Sequence, residues 1–296
     1  MQKSEITFPF PVKEGVPLSK YSTFRIGGPA KFFKSISSVE EAVEVFRFLH
    51  KHPLPHFILG KGSNCLFDDL GFHGLVLLNN LNKKNFLTPH LLKVYSGHSF
   101  AALGRYTTKK NLGGLEFASG IPGSVGGAIF MNAGAQGQST SDSVLRVEAI
   151  TPEGKIVSYS KSELKFEYRS SRFQSVSEFI LSAEFQLYNN PASIKLEASY
   201  KEKRVASQPY NQFSAGCIFR NPSKDMPAGK LIEECGLKGL SVGDAIISPL
   251  HANFIVNRGA AKAKDVLKLI NIIKEAAQKR GFSLEEEVLF IPHNRS

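Results

Sequence analysis

Residues 113–137 hold eight of the chain's 25 glycines, where an even spread would put about two. Glycine tolerates positive φ and lets backbone approach a ligand closely. Successive N–H groups in such a stretch can turn inward and form an anion-binding concavity. Gly120, Gly123 and Gly126 recur every third residue, Ser119 and Ser124 add hydroxyl donors, and Pro122 stiffens the turn. Ile121, Val125, Ala128 and Ile129 are interleaved with them, which argues against a floppy linker. The pattern predicts a cradle for the pyrophosphate of a bulky nucleotide, built from Ser119, Gly120, Ile121, Pro122, Gly123, Ser124, Gly126 and Gly127.

A second glycine-rich turn precedes it. Ser38-Val39-Glu40-Glu41 reads as a capping box, opening a helix with Ala42, Val43, Phe46 and Leu49 on one face. The short strand His56–Leu59 follows and runs into Gly60, Lys61, Gly62, Ser63 and Asn64. Neither glycine segment matches the dinucleotide fingerprint G-x-G-x-x-G or the P-loop, so a nucleotide is expected to be held in neither manner. Further on, strands at 147–151 and 155–159 flank Pro152-Glu153-Gly154 as a hairpin. Alternation of Phe179, Leu181, Ala183, Phe185 and Leu187 predicts a strand with one buried face. A charged helix is expected over 192–206, with a domain boundary beside it. The last third reads as a helix at 229–235 stopped by Gly236 and a strand at 252–256. A helix at 261–280 stopped by Gly281 and a strand at 284–291 follow.

At 296 residues the chain has room for about two domains. No apolar run reaches the roughly 18 residues of a membrane span. The start lacks the apolar region of a secretory leader. Cys65, Cys217 and Cys235 are too few and too scattered for a disulfide framework or a zinc site, so no metal is expected. These features together place the protein in a reducing cytoplasm. The net charge of +11 favours anionic partners. No aromatic-interleaved basic motif of an RNA-binding fold is present, which favours small anionic ligands over nucleic acid.

Eight motifs stand in order along the chain. They are Tyr21-Ser22-Thr23-Phe24-Arg25-Ile26-Gly27-Gly28-Pro29-Ala30, Leu59-Gly60-Lys61-Gly62-Ser63-Asn64, the stretch from Gly114 to Gly134, and Tyr168-Arg169-Ser170-Ser171-Arg172-Phe173. Then come Ser214-Ala215-Gly216-Cys217-Ile218-Phe219-Arg220-Asn221-Pro222, Ala228-Gly229-Lys230-Leu231-Ile232-Glu233, His251-Ala252-Asn253-Phe254-Ile255-Val256-Asn257 and Leu284-Glu285-Glu286-Glu287-Val288. In this the chain resembles the UDP-N-acetylenolpyruvoylglucosamine reductases, in their shorter subclass without an extra tyrosine-bearing loop. The resemblance implies an α+β fold. It has a two-part FAD-binding domain of vanillyl-alcohol-oxidase (PCMH) type over 1–85 and 86–205. A smaller α/β substrate domain spans 206–296, its last strand returning Glu287 to the active site. It also implies noncovalent FAD, NADPH as co-substrate, a monomer, and reduction of the enolpyruvyl ether of UDP-N-acetylglucosamine in peptidoglycan synthesis. Hydride goes to C3 and a proton to C2.

On that resemblance Arg169 meets the substrate carboxylate, since a guanidinium forks onto a carboxylate and keeps its charge. Strand alternation puts Glu285 and Glu287 on one face and does not choose between them; the family register selects Glu287. Cys217 stands where the family usually has serine as the acid that protonates C2. A neutral thiol can serve as that acid, and it brings an expected sensitivity to alkylation and oxidation. Cys65 and Cys235 read as structural. Gly60, Lys61, Gly62, Ser63, Asn64 and Ser119 to Gly127 are the cofactor candidates, with Arg25 and Arg172 as weaker ones. Asn221, Lys203, Arg204 and Lys230 are the candidates for the UDP-sugar. His251 reads as structural, and Leu250 replaces a lysine common in the family. An FAD-dependent oxidase of the same fold is the alternative enzyme; the cradle at 119–127 lacks the histidine or cysteine that tethers FAD in many such oxidases. A non-catalytic basic nucleotide- or nucleic-acid-binding protein is the alternative of another class.

Overall fold

The structure is a computed structural model and describes residues 6–223 and 225–294. Residues 1–5, part of the segment read as lacking a leader, lie outside the described residues. The first part of the chain holds β1 (Lys13–Pro17), β2 (Pro29–Ile36), α1 (Val39–Lys51), β3 (His56–Leu59), β4 (Cys65–Phe67) and β5 (Phe72–Asn79). A four-stranded sheet forms in the order β1-β2-β5-β3, with β2, β5 and β3 parallel. Ser38 caps α1 as its sequence predicts, accepting from the Glu41 N–H. The reciprocal bond is displaced by one residue, because the Glu41 carboxylate accepts from the Ser37 N–H at 2.7 Å and pairs with Lys34.

The second part holds β6 (Lys84–Thr88), β7 (Leu91–Tyr95), α2 (Phe100–Thr108), β8 (Leu112–Gly113), α3 (Val125–Phe130), β9 (Gly134–Ala135), β10 (Gln138–Ser139) and α4 (Thr140–Ser143). It continues with β11 (Val144–Ile150), β12 (Ile156–Ser160), β13 (Phe179–Gln186), β14 (Tyr188–Asn189) and α5 (Ser193–Ser207). Its main sheet is antiparallel throughout, in the order β12-β11-β13-β7-β6. The predicted hairpin is β11–β12, in register from Ile150 opposite Ile156. β13 departs from the expected single buried face. Its pairing with β11 slips where Ser182 faces Glu148 and Ile180 faces Ala149, leaving Leu181 as an extra residue. Such a bulge swaps the faces of a strand. Phe179 and Leu181 therefore pack with α1 and the first sheet, while Ile180, Ala183 and Phe185 pack with α2 and α3.

The third part holds α6 (Ala228–Glu234), β15 (Ser241–Val242), β16 (Ala245–Ile247), β17 (Ile255–Asn257), α7 (Ala263–Lys279) and β18 (Leu289–Ile291). Gly236 and Gly281 end α6 and α7 with φ of 72° and 82°. Two predicted strands are shorter than expected. Residues 252–254 turn, with the Phe254 N–H on the His251 carbonyl, so only 255–257 remain extended in the sheet. Residues 284–288 pair only through an isolated bridge from Glu286 to Phe219, yet they alternate as expected: Glu285 and Glu287 reach Arg220 and Arg169, while Glu286 reaches Lys274 of α7 and Leu284 and Val288 join the core around that helix. β18 then lies parallel to β4, Leu289 opposite Cys65, and so returns the chain to the first part.

Asp69 fastens the same junction by accepting from the N–H groups of Ala263 and Lys264 at the start of α7, at 2.8 and 3.2 Å. The division read at 85/86 falls inside β6, and that at 205/206 inside the last turn of α5. Among the described residues, no helix is long and apolar enough to cross a membrane.

Candidate active site

The two glycine segments meet. A Cβ at Gly60 would collide with the Ser124 hydroxyl, and one at Gly123 would sit 3.4 Å from Ser63 Oγ. Ser124 caps α3 by accepting from the Gly127 N–H, and an antiparallel bridge joins it to Ser99. Within the cradle the N–H groups of Ile121, Val125 and Gly126 donate to protein carbonyls. Among the described residues, no backbone carbonyl takes the N–H of Gly123 or Ser124, or those of Lys61, Gly62 and Ser63, while the Asn64 N–H lies on the Cys65 thiol. Two facing runs of unengaged donors on glycine backbone fit an anionic pyrophosphate. Ser119 does not add a free hydroxyl as expected, because it is buried and donates to the Glu116 carbonyl at 3.0 Å. Glu116 itself was not singled out by sequence. It is fully buried and anchors the start of the glycine stretch, accepting from the Gly114 N–H and the Asn190 amide.

Arg169, Cys217 and Glu287 come together from three distant stretches of chain. Arg169 Nε donates to Glu287 Oε1 at 3.0 Å, and its Nη2 donates to the Gly134 carbonyl at 3.1 Å. Its backbone is left-handed, with φ of 54°. Such a conformation is costly for a non-glycine residue and clusters at functional sites. Glu287 is held by its own backbone, with its N–H on the Ile218 carbonyl and its carbonyl accepting from the Asn64 amide at 3.0 Å. Asn64 thus links the glycine turn at 60–64 to Glu287. Burial raises the Glu287 carboxyl above its ordinary range, against the lowering effect of Arg169 and then Arg220.

Cys217 follows Gly216, whose φ is 79°. An isolated bridge to Phe254 fixes its backbone. Asn253 clasps the next residues, accepting from the Phe219 N–H and donating to its carbonyl at 2.9 and 2.8 Å. His251 Nδ1 accepts from the Asn253 N–H, which gives that histidine a supporting place. Burial lowers its affinity for a proton below that of an ordinary imidazole. Burial, and then the Glu287 charge, push the Cys217 thiol up to about 12, while Arg169 and Arg204 pull it down. This opposes the expected ease of alkylation, because a thiol so shifted holds its proton at neutral pH.

Among the substrate candidates, only Arg204 has its charge directed at the cluster. Its Cδ lies 3.0 Å from the position of a Cβ on Gly120, and its charge acts on Cys217. Lys203 is exposed on α5, and Lys230 is exposed and 3.8 Å from Glu234 on α6. Asn221 turns its amide oxygen to the Ala228 N–H at the start of α6. Arg172 is engaged with Glu178 and stacked 3.7 Å over Tyr159. Arg25 donates to the Lys20 carbonyl and lies over Phe213. Cys65 is buried and Cys235 packs on the core of the third part; Leu250 is exposed.

The FAD binding domain family matches residues 30–160, and the C-terminal domain family of UDP-N-acetylenolpyruvoylglucosamine reductase matches residues 208–291. The chain is 55% identical over 292 residues to the UDP-N-acetylenolpyruvoylglucosamine reductase of Chlamydia felis, covering 99% of this chain and 98% of that one. It is 55% identical over 286 residues to that of Chlamydia pneumoniae, covering 97% and 94%. The crystal structure of UDP-N-acetylenolpyruvylglucosamine reductase from Thermus caldophilus superposes with a TM-score of 0.84 at 35% identity, over 95% of this chain and 99% of that one. The chain belongs to the UDP-N-acetylenolpyruvoylglucosamine reductase family.

Proposed function

We propose that this family member, a reductase of peptidoglycan synthesis, uses NADPH to convert the enolpyruvyl ether of UDP-N-acetylglucosamine to UDP-N-acetylmuramate in the cytoplasm, with Arg169, Cys217 and Glu287 as its catalytic residues. The reading rests above all on one observation: the Arg169–Glu287 pair, 3.0 Å apart, with both its charges acting on the Cys217 thiol. The turn at Gly60–Asn64 and the cradle at Ser119–Gly127 would hold FAD noncovalently. The chemistry FAD supplies when bound is carriage of a hydride from NADPH to C3 of the enolpyruvyl group.

Addition at C3 builds negative charge at C2 and on the adjoining carboxylate. Arg169 keeps its charge at any working pH and stabilises that dianion through a forked contact. Cys217 transfers its Sγ proton to C2, which completes reduction of the double bond. The resulting thiolate is stabilised by the charges of Arg169 and Arg204, and it regains its proton from solvent. Glu287 holds the guanidinium in place and, being raised towards protonation, accommodates a second carboxylate nearby. Lys203, Lys230 and Asn221 remain proposed contacts for the UDP-sugar, and Arg204 is the strongest of that group.

Cys217→Ala tests the assignment. The account expects flavin reduction by NADPH to survive while reoxidation by the enolpyruvyl sugar slows by about 10²–10⁴-fold, the usual contribution of a general acid. Reoxidation of that variant at the wild-type rate would remove Cys217 from the mechanism.

A further inference from the structure

Arg220 stands three residues after Cys217, outside the catalytic trio. Its Nη1 pairs with Glu285 at 2.9 Å, and its Nη2 donates to the Arg169 carbonyl at 3.4 Å. Its own N–H donates to the Glu285 carbonyl at 2.9 Å, and the neighbouring Phe219 bridges to Glu286. The carbonyl that Arg220 meets belongs to a residue in the left-handed backbone region, which persists only where its surroundings hold it. Gln174 donates to the same carbonyl at 2.9 Å. Arg220 therefore ties the backbone of Arg169 to the 285–287 segment, while Arg169 and Glu287 are joined through their side chains. Among the described residues, the buried Nε of Arg220 has no partner.

We infer that Arg220 is a positioning residue, bracing the Arg169 backbone against the Glu285–Glu287 segment so that the guanidinium and carboxylate meet the substrate in register. The charges facing Glu287 are Arg169 and Arg220, with the Cys217 thiol beside it. A planar fork can hold a carbonyl and a carboxylate together; an ammonium supplies the charge without that geometry. The inference rests on the catalytic reading above for its effect on rate, though not for its effect on Glu287.

Two variants and two readouts test it. In Arg220→Gln, carboxyl-carbon NMR is expected to show Glu287 titrating at higher pH than in wild type. The rate of flavin reoxidation by the enolpyruvyl sugar should fall about tenfold to a hundredfold, with reduction by NADPH unchanged. Arg220→Lys should return the Glu287 titration towards wild type and leave reoxidation slow. An unmoved titration and rate in Arg220→Gln, or wild-type reoxidation in Arg220→Lys, would overturn the positioning role. Should Arg220→Gln fail to fold, the lysine variant decides alone. If wild-type protein itself is not reoxidised by the sugar, the catalytic reading fails, while the titration still judges Arg220.

Discussion

At the residue scale, most consequences follow from the burial of Cys217 beside Glu287. A thiol raised to about 12 by burial exposes little thiolate at neutral pH. Iodoacetamide should therefore label Cys217 more slowly than a free thiol at pH 7, with the rate climbing as pH rises towards 12. Peptide mass spectrometry after timed labelling measures this, and rapid labelling at pH 7 would mean a resident thiolate that has no proton to give. Cys217→Ser keeps a neutral donor in the same place and should hold reoxidation within about tenfold of wild type.

The glycines separate steric roles from ligand roles. Gly60→Ala must push against Ser124, so loss of flavin there reports packing as well as binding. Gly123→Ala meets only Ser63 Oγ at 3.4 Å, so the apo fold should tolerate it. An unchanged melting temperature with at least about tenfold weaker flavin binding in Gly123→Ala is the expected result. Unchanged flavin affinity would mean that the backbone at 123 does not touch the cofactor.

At the scale of elements, local signals predicted what local chemistry decides. The Ser38 cap, the hairpin around Gly154 and the glycine stops after α6 and α7 are all set by residues within one turn of chain. The bulge at Leu181 was not legible, because it is set by a partner strand far away in sequence. Glu287 shows the limit clearly. Alternation left it equal to Glu285, and what distinguishes it is Arg169, a residue 118 positions earlier. Asp69 is a second long-range device, invisible in sequence because it caps a helix that begins 194 residues later. Asp69→Ala should cost about 0.5–2 kcal/mol, the usual value of a lost helix cap, read as a lower denaturation midpoint in urea. No change would show that the junction of α7 with the first part stands without it.

Across the whole molecule, one core joins the first part to the second through Phe179 and Leu181, and another joins the first to the third through Phe24, Ile26 and Leu66. β18 on β4, Asn64 on the Glu287 carbonyl and Asn257 on the Phe24 carbonyl bind the third part to the first. Arg169 reaches in from the second. The site is therefore complete only when all three parts are assembled, which explains why its members are scattered through the sequence. The charge of +11 suits a substrate carrying phosphates and a carboxylate. Raising ionic strength should lower kcat/KM for the UDP-sugar more than kcat, because screening weakens encounter before it weakens chemistry. The most direct measurement follows the flavin absorbance of the purified, FAD-loaded protein without oxygen, first with NADPH and then with the enolpyruvyl ether of UDP-N-acetylglucosamine. The account predicts bleaching by NADPH and recovery on adding the sugar, whereas bleaching without recovery, or no bleaching, would contradict it.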